Sequence, residues 1–298
     1  MSRHARRSPA SPWSLVLALA LGCAHGGSAG SGPTVKLALR GGPGLVVDGT
    51  LGTTAVEVRL AIEEPRSLLS ARCLAAPPPT DVQVRRPLLQ GGWETVPEIP
   101  LTGVMLGTVA LPQFRAAVIP ESSCILWLGV DVLGRSVLDV DLDARTVLVA
   151  RGAPDLPASL ERAEVDVTRA PDTDHLLAAV QLAGTSATVI QTFVLGTART
   201  TEIARFQARL LGAEAVLRAV QMSPGWEACD VPVRIRTDWT RAPSIGVLGP
   251  EAWGARRMVV DLARPALVLV RPKGTPAPSC RQVEDVPPVP SSKEREPR

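Results

Sequence analysis

The sequence predicts a mostly β protein of two tandem lobes with few short helices, and three observations carry that expectation. First, Leu128-Gly129-Val130-Asp131-Val132-Leu133-Gly134 is echoed by Leu248-Gly249-Pro250-Glu251-Ala252-Trp253-Gly254. Asp141-Leu142 is likewise echoed by Asp261-Leu262, so a constant offset of 120 relates the two stretches (249 − 129 and 261 − 141). An internal repeat of this kind sets the architecture before any single element is assigned. Second, several segments alternate apolar and polar residues with period 2, the pattern of a half-buried strand. Third, helical spacing is confined to two short segments.

Each half opens with a hairpin. Val56, Val58, Leu60 and Ile62 alternate with Glu57, Arg59 and Ala61, after a turn expected at Asp48-Gly49. Val189 to Leu195 is the counterpart, after a turn at Ala183-Gly184. Each half closes with another hairpin. Leu138, Val140 and Leu142 alternate with Asp139, Asp141 and Asp143, turn at Ala144-Arg145 and return through Val147 to Val149. Val260 and Leu262 lead through Arg264-Pro265 into Leu267 to Val270. On this alternation Asp141 and Asp261 are expected to face solvent. Asp155 to Ala163 reads as a short linker helix with Asp155 or Ser159 as N-cap, and Ile203, Phe206 and Leu210 have helical spacing. The Pro-rich, charged stretch after Pro272 reads as a disordered tail.

The N-terminus points to export. Arg3, Arg6 and Arg7 precede a short apolar run, Trp13 to Leu21, well below the roughly 20 apolar residues that span a bilayer. It reads as a signal peptide. The run ends in Leu19-Ala20-Leu21-Gly22-Cys23, which resembles a bacterial lipobox and implies lipidation of Cys23. The expected organisation is signal peptide 1–22, flexible tether 23–34, first lobe 35–151, linker 152–164, second lobe 165–271 and tail 272–298. Removing the leader leaves 276 residues (298 − 22), room for about two domains. A net charge of +3 with scattered basic residues argues against nucleic acid as a partner.

Beyond Cys23 the chain carries Cys73, Cys124, Cys229 and Cys280. An even number after an export signal suggests two disulfides, and four cysteines allow three pairings. Pairing within lobes is favoured because Cys73–Cys124 and Cys229–Cys280 close loops of equal length (124 − 73 and 280 − 229, both 51). No Cys/His cluster has zinc spacing. Only His25 and His175 follow the leader, so a histidine-based triad has few candidates. No metal and no cofactor is expected.

The order of these elements resembles the retropepsin-like aspartic proteases. In that family a first strand runs into Asp-Thr/Ser-Gly-Ala, and a late motif reads Leu-Gly-x-Asp-x-Leu. Leu128-Gly129-Val130-Asp131-Val132-Leu133 matches the late motif, and Leu248-Gly249-Pro250-Glu251 matches it more loosely. Two such units in one chain look like the bilobal, pepsin-style arrangement, and the resemblance covers nearly all of the chain after the tether.

The resemblance also implies where the catalytic acids belong, and they are missing. Phe193-Val194-Leu195-Gly196-Thr197-Ala198-Arg199-Thr200-Thr201 places Leu195 at the Asp position, and Leu60-Ala61-Ile62-Glu63-Glu64 places Ala61 there. The family's chemistry needs two carboxylates sharing one proton. Ala61 and Leu195 are therefore expected to face each other across a pseudo-twofold axis as an apolar plug. Glu63 and Glu64 are the substitute acids to consider. Neighbours in an extended chain point to opposite faces, so solvated loop carboxylates are the expectation. Asp131 and Glu251 read as caps or ion-pair partners.

The functional expectation is a monomeric, membrane-anchored lipoprotein facing periplasm or cell exterior, with a non-catalytic groove for an extended peptide or protein ligand. Two alternatives stay open: an active aspartic-type peptidase using non-standard acids or a partner chain, and a generic β-rich structural lipoprotein of the envelope.

Overall fold

Thirteen residues separate the apolar run Trp13 to Leu21 from the first described strand, Val35–Ala38. The computed structural model describes residues 34–41, 44–78, 81–89, 91–239, 246–276, 278 and 280. Cys23, the leader, the tether to residue 33 and the end of the tail lie outside them.

The described residues are mostly β, in three sheets. A nine-stranded sheet is drawn from residues 46–128, and an eight-stranded sheet from residues 167–248. The third sheet, of six strands, takes strands from both halves. At its centre the strand Val137–Asp141 runs antiparallel to Arg257–Asp261, with Asp139 opposite Val259. Those two residues are related by the repeat offset (259 − 139 = 120), so the hairpins meet head to head about a local twofold axis through that pair. One apolar cluster, running from Leu37 to Leu269, draws on residues of both halves.

The contacts flanking that axis are chemically unequal. Arg257 donates to both carboxylate oxygens of buried Asp139 at 3.0 and 2.8 Å. Subtracting the offset from Arg257 gives Val137, and adding it to Asp139 gives Val259; these two share an apolar cluster with Val270. An ion pair on one side of the axis is thus matched by a hydrocarbon contact on the other.

Asp141 and Asp261, expected in solvent, instead brace the turns that follow them. Asp141 accepts from the N–H of Ala144 at 2.8 Å, and Asp261 accepts from Ala263 and Arg264 at 3.0 and 2.9 Å. Short acids favour such bonds to the backbone two or three residues on. Asp261 is buried as a result, while Asp141 remains half-buried.

The leading strand Thr54–Leu60 buries Val56, Val58 and Leu60, as its alternation predicts. Its turn, however, lies at Gly52-Thr53, because Asp48 and Gly49 sit inside the strand Val46–Leu51. Gly49 is needed there for space, since a Cβ would lie 2.6 Å from Val58 Cγ2.

The linker segment also differs. Leu160–Val165 is instead the edge strand of the shared sheet, paired along Ala266–Pro272, whose open ladder outweighs the helix-forming residues of the segment. The helix Arg205–Leu211 does form, but Ile203 belongs to the preceding strand, and Phe206 and Leu210 face outward. Gln207 turns inward instead, accepting from the N–H of Ala204 and donating to Gln191, both at 2.8 Å.

Both expected disulfides are present, Cys73–Cys124 and Cys229–Cys280, each spanning 51 positions. The first closes the antiparallel pair formed by Leu68–Ser70 and Ile125–Leu128. The second ties the start of the tail to the strand Trp226–Pro232. The final strand runs through Pro272, and Lys273 N–H donates to Ser159 O at 3.0 Å, so the first tail residues are hydrogen-bonded to the fold. Removing either bridge by paired Cys→Ala changes is expected to cost about 2–5 kcal/mol of stability, measured by denaturant unfolding. Non-reducing peptide mapping that returned cross-half pairs would contradict this connectivity.

Candidate functional site

The late Leu-Gly motifs and the leading strands are coupled in the same way in both halves. Thr54–Leu60 runs parallel to Ile125–Leu128 with Leu60 opposite Leu128, and Ala61 N–H donates to Leu128 O at 2.9 Å. Thr188–Leu195 runs parallel to Val247–Leu248 with Leu195 opposite Leu248, and Gly196 N–H donates to Leu248 O at 2.9 Å. Leu195 is thus the counterpart of Leu60, and Gly196 that of Ala61 (195 − 60 and 196 − 61, both 135). The position matched to Ala61 moves from Leu195 to its neighbour.

The far ends of the two loops explain the discrepancy. Ser67 Oγ accepts from Gly129 N–H at 3.0 Å and donates to Asp131 at 2.7 Å. Thr201 Oγ1 accepts from Gly249 N–H at 3.1 Å and donates to Glu251 at 3.0 Å. These hydroxyls are 134 apart (201 − 67) while the strand ends are 135 apart, so the second loop is one residue shorter. Asp131 and Glu251 act as hydrogen-bond anchors for these loops.

The glycine of each motif is a requirement of close approach. A Cβ on Gly129 would lie 2.6 Å from Glu64 O, and one on Gly249 would lie 2.6 Å from Arg199 O. Any other residue would push the loop off its strand.

Between the loops lies a polar junction. Thr197 Oγ1 accepts from Ile62 N–H at 3.0 Å and donates to Leu60 O. In the opposite direction, Glu63 accepts from the N–H groups of Thr197 and Ala198 at 2.9 and 3.2 Å. Glu64 accepts from Arg199 Nη2 at 2.9 Å and lies 3.7 Å from Arg86 Nη1. Arg199 Nε stands 3.7 Å from Glu63 Oε1.

Glu63 is 0% exposed and Glu64 4%, so neither is a solvated loop acid. Ile62 and Glu63 form a turn, and a turn, unlike an extended chain, lets consecutive side chains converge on Arg199. The expected apolar plug is replaced accordingly. Leu195 packs into the main core, whereas Ala61 packs in a smaller cluster with Ala198.

Electrostatics follow from this burial. Loss of water around Glu63 pushes its carboxyl up to about 7, against the lowering influence of Arg199 and the Thr197 N–H. Burial pushes the nearby His175 imidazole down. A cavity of about 170 Å³ adjoins the cluster, lined by Glu64, Arg86, Arg199 and Arg236 with Leu89 and Trp239. Sequence reasoning missed Arg199, Arg86 and Thr197 here, although Thr197 follows the Gly196 position directly.

Chemically, the junction holds two carboxylates from one loop, each committed to donors, and none from the other loop. Ala61 and Gly196 have no group that can carry a proton. Among the described residues, no group of three or more His, Cys, Asp or Glu is placed to hold a metal ion. No protein-family model and no curated protein matches the sequence.

Thr197→Val keeps the shape but removes both hydroxyl bonds, stranding Ile62 N–H and Leu60 O. We expect a loss of roughly 1–3 kcal/mol in denaturant unfolding. An unchanged midpoint would mean that this hydroxyl contributes nothing to the junction.

Proposed function

We propose that this chain is an exported, lipid-anchored binding protein of two retropepsin-like lobes, whose groove takes an extended peptide without cleaving it. The observation that carries the reading is the pair Ala61 and Gly196, standing where each leading strand enters its loop after pairing with a Leu-Gly motif. The matched parallel pairs and the reciprocal bonds of Thr197 and Glu63 support a two-lobed ancestry. Peptide binding by strand addition uses backbone groups and survives the loss of both acids. Catalysis does not, because each positioned acid or base contributes about 10²–10⁴-fold.

Glu63 and Glu64 are the only substitutes suggested by position, and their bonds argue against them. Both sit on the same loop, and their oxygens face Arg199, Arg86 and two N–H groups. Export is supported by the two disulfides. Among the described residues no helix is long and apolar enough to cross a membrane, and attachment in this reading rests on Cys23.

Two measurements test the proposal. A randomised peptide library incubated with the mature chain at acid and neutral pH is expected to yield retained peptides and no new termini. Cleavage suppressed by a transition-state-type inhibitor would establish the peptidase instead. Separately, Cys23→Ala is expected to move the protein from the membrane to the soluble fraction; unchanged partitioning would remove the lipid anchor from the reading.

A further inference from the structure

The junction contains a titratable group for which peptide binding has no use. Glu63 belongs to the first half, yet its oxygens hold the Thr197 and Ala198 N–H groups of the second, with no exposure to solvent. Arg199 faces it from the opposite loop, but Arg199 directs its closer hydrogen bond to Glu64. Its Nε has no hydrogen-bond partner among the described residues. Glu64 adds a like charge from the same loop. Further out lie Arg86, 3.7 Å from Glu64, and Glu202, which acts on Arg199. His175 and Asp174 stand at the head of the strand Leu176–Ala183, where His175 feels both Glu64 and Arg199. Glu63 is thus a buried acid with two neutral donors and only a share of one cation.

We propose that Glu63 makes the junction a proton-sensitive clasp, which holds the loop at Thr197–Ala198 in acid and loosens as pH rises through neutrality. The direction follows from where the proton is bound. In the clasp, burial carries the Glu63 carboxyl to about 7, whereas a released loop lets water return it towards the ordinary 4.5. Between those values the clasped form keeps a proton that the released form has given up. The clasp's contribution is therefore complete below about 4.5 and is lost as pH rises, levelling off above about 7. One proton of difference changes the equilibrium up to tenfold per pH unit. His175 works in the opposite sense. Its imidazole is pushed below 6.5, so its contribution is present above 6.5 and lost as pH falls through the lowered value.

The proposal is independent of whether the groove binds peptide, and its test needs no ligand. Amide hydrogen exchange on the full chain, corrected for intrinsic rates, is compared at about pH 5.5 and about pH 7.5. Wild-type protection around residues 62–64 and 196–199 is expected to fall by roughly 10–100-fold over those two units. The shared-sheet hairpins should change little. Glu63→Gln keeps an acceptor for the two N–H groups and cannot ionise, so its protection should be nearly flat and should exceed wild type at the higher pH. Equal slopes in both proteins, or a loss spread evenly over the chain, would overturn the clasp. Should Glu63→Gln not fold, the wild-type Glu63 side-chain carboxyl can be followed by carbon NMR. A midpoint near 7 is expected, and one near 4.5 would overturn the proposal.

Discussion

A single hydroxyl and a single carboxyl, exchanged between two loops, tie the ends of the two leading strands together across the halves. Thr197 reaches across to Ile62 N–H and Leu60 O, and Glu63 reaches back to Thr197 and Ala198 N–H. These backbone groups lie at the ends of leading strands, where the ladder stops and their partners must come from elsewhere. Once they are met across the junction, each loop is held at one end by the opposite half. At its other end it is held by its own Ser67 or Thr201. The parallel strand pairs and the close glycine approaches then have little freedom left.

The two directions of that exchange are unequal in kind. A threonine hydroxyl donates and accepts at once and stays neutral, so its burial is compensated at any pH. A glutamate only accepts when ionised, and it brings a charge that the interior penalises. The longer first loop gives Glu63 the reach to play its part, and it leaves room for Glu64 to secure Arg199. In this arrangement both acids serve to hold the loops together. The small polar cavity beside them is walled by guanidinium groups already engaged with carboxylates.

Much of the fold was legible because it depends on patterns that survive without context. The 120-residue offset, the alternation of Val56, Val58 and Leu60, and the equal cysteine spacings all carried through to structure. What could not be read depended on partners distant in sequence. The match of Ala61 to Leu195 failed because the second loop is one residue short, and only hydrogen bonds at both loop ends reveal on which side the gap lies. Leu160–Val165 became a strand because Ala266–Pro272 offered it an edge. The helix at Arg205 buries Gln207 because Gln191 waits for it on a neighbouring strand. Glu63 and Glu64 converge because the chain turns beneath them, which their identities do not announce.

The shared sheet has a consequence for which chains can pair with which. Two copies of the first hairpin, brought together in the register seen here, would set Asp139 against Val137, an acid buried beside hydrocarbon. Two copies of the second would set Arg257 against Val259. Only the mixed pair places Arg257 on Asp139 and leaves Val137 with Val259. The contact has the geometry of a homodimer interface and the chemistry of a heterodimer, with like-with-like pairing penalised by an unmatched buried charge. Joining the halves in one polypeptide keeps the favoured partner always at hand. The same asymmetry discourages a half from one molecule from exchanging with its twin in another.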